Sequence, residues 1–117
     1  MKITIYHNPR CGKSRQTLAL LEARGIQPEV IEYLKTPPDA ATLKQILKKL
    51  GMNPRELLRA KEAAYRDAGL DDPALDDETV IKAMIAHPIL IERPIVLAGG
   101  KAALGRPPEN VLAILPE

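Results

Sequence analysis

The chain contains one cysteine, Cys11, in the run His7-Asn8-Pro9-Arg10-Cys11-Gly12-Lys13-Ser14. That run is rich in structure breakers and joins a short β-branched stretch to a helical one. A thiol at the start of a helix meets unpaired backbone N–H groups and the positive end of the helix dipole. Both stabilise the thiolate and lower its pKa. Arg10, Lys13 and Arg15 add cationic neighbours. Because the thiolate is the nucleophile, this placement predicts attack on an electrophile at neutral pH. A lone cysteine is more often a small buried hydrophobe, but these polar, basic surroundings argue for chemistry. His7 can serve Cys11 as a base, or hold the loop through its backbone. Ser14 can donate its hydroxyl to the thiolate, or satisfy the first helical turn.

Three related motifs are excluded. Gly12-Lys13-Ser14 mimics the end of a phosphate-binding P-loop, but the first glycine of that pattern would fall at His7. Ser14 stands where a redox Cys-x-x-Cys pair needs its second cysteine. Thr17 stands where a phosphatase loop would carry its arginine. A single activated thiol remains, so redox chemistry must draw further thiols from outside the chain. Arg93-Pro94 and Arg106-Pro107 place guanidinium groups at element boundaries, where the following proline restricts the backbone. Such groups suit bidentate capture of a tetrahedral oxyanion. Arg59, after Leu57-Leu58, is a weaker candidate for the same work. One cysteine and two histidines 80 residues apart form no metal-ligand cluster.

The elements around these residues can be read from pattern. Ile3-Thr4-Ile5-Tyr6 reads as a strand, and a helix follows from about Lys13 with Thr17, Leu18 and Leu21 on its apolar face. Gly25 ends it, and Glu29–Tyr33 reads as a second strand, parallel to the first through the helical crossover. The middle is helical. Asp39 caps a helix with Leu43, Ile46, Leu47 and Leu50 on one face, ended by Gly51. Asn53-Pro54-Arg55-Glu56 is a capping box, and Asp76-Asp77-Glu78 opens a helix that closes at His87-Pro88. Ile95–Ala98 and Lys101–Leu104 form a hairpin about Gly99-Gly100, and Pro107-Pro108-Glu109 opens a last helix with Val111, Leu112 and Leu115 inside. The expected fold is α/β: a mixed four-stranded sheet flanked by helices, with a helical insertion.

Length and composition fit one domain. The 117 residues are 45% hydrophobic and 27% charged, near the average for globular chains. No apolar run is long enough to span a bilayer and no signal-like segment opens the chain, so the expected location is the cytoplasm. A net charge of +2 and three aromatic residues, all tyrosine, speak against nucleic acid as a partner. The charge is uneven: residues 1–24 carry a balance of +4, and residues 62–92 a balance of −6. The basic end suits an anion.

The segment from Tyr6 to Leu18 resembles the active-site segment of the glutaredoxin-dependent arsenate reductases. The likeness continues through Tyr33-Leu34-Lys35-Thr36-Pro37-Pro38, Leu57-Leu58-Arg59, His87–Val96 and Arg106-Pro107, and so covers nearly the whole chain. It implies a thioredoxin-like fold spanning residues 1–117 as one domain, with a cis proline at Pro94 facing the cysteine. It implies Cys11 as nucleophile, with His7 tuning it and Ser14 offering a hydroxyl nearby. Arg59, Arg93 and Arg106 are implied as ligands of arsenate. Glutathione would then attack the cysteine–arsenic adduct as a co-substrate, and glutaredoxin would remove it from the Cys11 mixed disulfide, with release of arsenite. No bound cofactor is implied, and a monomer is expected. Gly105 departs from members that carry a second cysteine there. Two alternatives share the fold: a glutathione-dependent thiol/disulfide reductase, and a regulator similar to the Spx type that binds RNA polymerase.

Overall fold

The computed structural model describes residues 2–116. The chain divides into two compact units, Met1–Thr36 with Arg93–Glu117, and Pro37–Glu92. The first unit holds strand β1 (Ile3–His7), helix α1 (Gly12–Ala23) and strand β2 (Glu29–Glu32), then strands β3 (Ile95–Ala98) and β4 (Lys101–Leu104). The sheet order is β2-β1-β3-β4, with β1 and β2 parallel and the other neighbours antiparallel. The crossover through α1 makes the parallel pair, and the Gly99-Gly100 turn makes the hairpin, as their sequences predict. This is the thioredoxin-like mixed sheet.

Alternation along the central strands sets the core. Ile3 and Ile5 of β1 and Val96 and Ala98 of β3 share one face of the sheet, where they pack with Leu21 of α1, Val111 and Leu115. α1 ends where Gly25 takes φ 77°, a left-handed conformation that costs glycine little. The last helix differs from the expectation. It is a 3₁₀ helix, Pro108–Ile114, and its tighter winding leaves Leu112 exposed while Val111 is buried.

The second unit is helical: α2 (Ala40–Leu50), α3 (Ala63–Asp67) and α4 (Asp77–Ala86), with 3₁₀ turns at Pro54–Leu57 and Pro88–Leu90. Asp39 accepts from the Thr42 N–H, so the predicted cap is made, and Asp76, in the acidic run read as a helix start, accepts from the Thr79 N–H. The Asn53–Glu56 capping box closes in both directions. The short α3 lies in an acidic stretch with no apolar period and was not anticipated; none of its residues is buried. Leu58 and Ile91 form an isolated antiparallel bridge. Among the described residues no helix is long and apolar enough to cross a membrane.

Candidate functional site

Sheet register decides what meets Cys11. Tyr6 of β1 lies beside Ile95 of β3, and Ile95 beside Leu104 of β4. The loop leaving β1, the segment entering β3 and the segment leaving β4 therefore open at the same end of the sheet. These carry Cys11, Arg93 and Arg106 respectively.

Cys11 is the N-cap residue of α1 and is half-buried. Its own N–H donates to the Asn8 carbonyl at 2.9 Å, and its carbonyl accepts from Arg15 N–H at 3.0 Å. The sulfur lies at the helix mouth, where the Ser14 and Lys13 backbone N–H groups reach it. Burial alone would raise the thiol pKa. The Ser14 backbone N–H, the Arg93 guanidinium (by hydrogen bond and by charge) and the Lys13 backbone N–H together outweigh it, and the thiol titrates below its ordinary value. Arg106 Nη1 lies 3.9 Å from Cys11 Sγ and also donates to the Arg93 carbonyl at 3.2 Å.

The cations at the sulfur thus come from distant parts of the sequence. Of the nearby candidates, Lys13 contributes its backbone N–H, and Arg15 turns back to donate to the Pro9 carbonyl at 3.0 Å. Both distant arginines precede prolines at strand boundaries, and both Arg-Pro peptide bonds are cis.

His7 and Ser14 form a buried pair behind the loop. His7 Nδ1 and Ser14 Oγ are 2.6 Å apart, and Ser14 Oγ accepts from the Asn8 N–H at 3.0 Å. Burial lowers the His7 pKa; the Glu32 charge opposes this and the Arg15 charge adds to it. A neutral ring lets Nδ1 accept the Ser14 hydroxyl proton. The Ser14 hydroxyl is accordingly spent on His7 and Asn8, while its backbone N–H serves the thiol. Arg59 belongs to the other unit, where Glu62 and Glu92 hold its guanidinium.

Two further contributors escaped the motif reading. One is Gly105, where a Cβ would lie 2.4 Å from Thr17 Oγ1 and 2.7 Å from Pro94 Cγ. Its N–H donates to the Pro94 carbonyl at 3.0 Å. The absence of a side chain lets the start of the Arg106 segment press against α1 and Pro94. The other is the pair of glutamates on Arg59, which have no sequence signature beyond the i, i+3 spacing of Glu62.

Known proteins match this arrangement along almost its full length. The ArsC family pattern fits residues 6–114. The chain is 57% identical to the uncharacterized protein YfgD of Escherichia coli (strain K12), covering 97% of each chain. It is 55% identical to an arsenate reductase of Neisseria meningitidis serogroup B, covering 97% of this chain and 98% of that one. An arsenate reductase structure from Vibrio cholerae superposes with a TM-score of 0.95 at 52% identity, covering 98% of both chains. With the thiol loop and both Arg-Pro segments inside the matched region, the chain belongs to the ArsC family.

Proposed function

We propose that this chain is an arsenate reductase, acting as a single 1–117 domain and a cytoplasmic monomer. The observation that carries the reading is the Cys11 thiol at a helix mouth, facing the guanidinium groups of Arg93 and Arg106. The arsenate reductases among its relatives supply the substrate. Arg59, Arg93 and Arg106 bind the oxyanion, offset its charge and orient arsenic toward sulfur. His7 holds Ser14, and Ser14 holds the loop that presents Cys11.

The Cys11 thiolate attacks As(V). An S–As bond forms as an As–O bond breaks, and the oxygen leaves as water after protonation. The glutathione thiolate then attacks the Cys11 sulfur. The S–As bond pair passes to arsenic, which leaves as arsenite, and the two sulfurs are oxidised to a mixed disulfide. A glutaredoxin thiolate attacks the glutathione sulfur and returns the Cys11 thiolate. The absence of any other cysteine is consistent with this external supply of thiols.

The test is NADPH consumption in a coupled assay with arsenate, glutathione, glutaredoxin and glutathione reductase. Arsenate-dependent turnover that Cys11→Ser abolishes is the expected result. A folded wild type that consumes no NADPH with arsenate would overturn the proposal and favour a thiol/disulfide reductase.

A further inference from the structure

Arg15 is an exposed arginine that is held in one place without being neutralised. Its Nη1 donates to the Pro9 carbonyl at 3.0 Å, and its Nη2 lies 3.9 Å from the position a Cβ on Gly12 would take. The guanidinium therefore lies against the outside of the loop, between the two residues that bracket Arg10 and Cys11. Among the described residues nothing else beyond Gly12's own chain and helix neighbours comes within 4 Å of that position, so the loop is open beside the guanidinium.

A carbonyl orients a guanidinium but leaves its charge whole. Other exposed cations of the same unit are answered by acids, Lys2 by Glu29 at 3.2 Å and Lys35 by Glu32 at 3.6 Å. Among the described residues no carboxylate pairs with Arg15, nor with Arg10 and Lys13, which are exposed on the same loop and helix turn. With Nη1 committed to Pro9, the Nε–Nη2 edge of Arg15 is the fork that a carboxylate can take in two parallel hydrogen bonds.

The place of this fork selects its ligand. The guanidinium groups at the sulfur are those of Arg93 and Arg106, whereas Arg15 is tied to Pro9. An anion held by Arg15 that also reacts at Cys11 must carry its charge some way from its reactive atom. Residues four apart on a helix face, as Cys11 and Arg15 are, sit about 5–6 Å apart. In glutathione the glycine carboxylate is one residue from the cysteine, and extended chain spans at most about 3.6 Å per residue. The two lengths are of the same order.

We propose that Arg15 is the carboxylate anchor for the thiol co-substrate: its Nε–Nη2 edge takes the glycine carboxylate of glutathione and presents that thiol to the Cys11 sulfur. Arg10 and Lys13 add a diffuse positive field. The inference deepens the reading above, in which glutathione is the co-substrate.

The test uses Cys11 as the one thiol of the chain, which dithiodipyridine converts to a thiopyridyl mixed disulfide. An added thiolate attacks the Cys11 sulfur, the S–S bond breaks, and its electron pair leaves on thiopyridone, whose absorbance gives the rate. Glutathione is compared with its glycine ethyl ester, which lacks that carboxylate charge, at equal thiolate concentration and low ionic strength. The wild type should react about three- to fivefold faster with glutathione, the scale of one exposed charged contact. Arg15→Gln should remove most of that preference by slowing glutathione, with the ester rate little changed. Arg10→Gln and Lys13→Gln each remove one charge from the same region and should cost less. Equal rates for the two thiols in the wild type, an undiminished preference in Arg15→Gln, or the same loss in all three variants would overturn the proposal. The wild-type comparison carries the test if Arg15→Gln does not fold. Arsenate turnover, measured separately, keeps the two readings apart. No turnover with the glutathione preference intact and lost in Arg15→Gln would remove the reductase and leave the anchor, and turnover without the preference would do the reverse.

Discussion

Gly105→Ala is the smallest change that tests how the site is held. The added Cβ would sit 2.4 Å from Thr17 Oγ1 and 2.7 Å from Pro94 Cγ, where ordinary contact begins at 3.4 Å. Something must move by about 1 Å to restore normal packing. The neighbours have little freedom. Thr17 is fully buried and its hydroxyl is spent on the Lys13 carbonyl at 2.8 Å, and Gly105 N–H is tied to the Pro94 carbonyl. Overpacking of this kind costs about 1–3 kcal/mol, which in a chain of this size lowers Tm by about 4–12 °C. The functional consequence is separate from stability. Arg106, the next residue, reaches Cys11 Sγ at 3.9 Å, the far edge of contact, so a shift of its backbone should loosen that contact. Thermal unfolding and the pH profile of iodoacetamide alkylation read the two effects. The variant should melt lower, and its alkylation profile should move to higher pH in the folded protein. Thr17→Ala removes both Thr17 atoms that the new methyl meets, so the double variant should recover about 1 kcal/mol relative to the sum of the single changes. A Gly105→Ala protein with wild-type Tm and alkylation profile would refute the steric argument, as would strict additivity with Thr17→Ala.

Cys11→Ser should abolish arsenate turnover while its far-ultraviolet circular dichroism and Tm stay near wild type; retained turnover would remove Cys11 as nucleophile. Arg93→Ala and Arg106→Ala should each raise the KM for arsenate by about tenfold or more, the usual cost of losing a charged hydrogen bond, and unchanged kinetics in both would remove the clamp. Wild-type Cys11 should be alkylated at a lower pH than a free thiol, because its pKa is lowered; an ordinary profile in the folded protein would count against the helix-mouth thiolate. His7 is held below its ordinary pKa of 6.5 by burial, so under acid conditions the unfolded chain takes up a proton that the folded chain resists. Stability should therefore fall as the pH drops below 6.5 toward the folded pKa and should not change through this group above 6.5. His7→Gln should flatten that part of a Tm-against-pH curve, and an unaltered slope would show that His7 does not carry it.

Much of the frame was legible because local signals agreed with the fold. The β-branched start, the Gly25 stop, the Asp39 cap, the acidic helix start at Asp76 and the Gly99-Gly100 turn each act over a few residues, and each is found where its chemistry puts it. What pattern could not supply was side-chain commitment. Ser14 could face the thiol or the helix, and its hydroxyl goes to His7 while its N–H goes to sulfur. Arg15 stood near enough to Cys11 in sequence to act as its cation, yet it bonds the Pro9 carbonyl. Helix α3 has five residues and no buried face, so no periodicity announced it.

The long-range half of the site follows from strand register. A two-residue turn at Gly99-Gly100 pairs Ala98 with Lys101 and Ile95 with Leu104. Counting outward from that last pair sets Pro94 against Gly105, the pair joined by the 3.0 Å hydrogen bond, and then Arg93 against Arg106. The two Arg-Pro dipeptides are thus placed across from one another by the hairpin, and the Arg106 Nη1 contact with the Arg93 carbonyl is the outcome. Pairing of β3 with β1 adds the third component. Ile95 lies beside Tyr6, so the loop after His7 begins at the same end of the sheet as Arg93. A cysteine loop and two arginines more than 80 residues away in sequence are therefore brought together by two strand registers and one glycine turn. The close approach at Gly105 completes the placement, because a side chain there would push the Arg106 segment away from α1. The basic residues beside Cys11 in the sequence advertised an anion site, but the guanidinium groups at the sulfur are the ones that the sheet delivers.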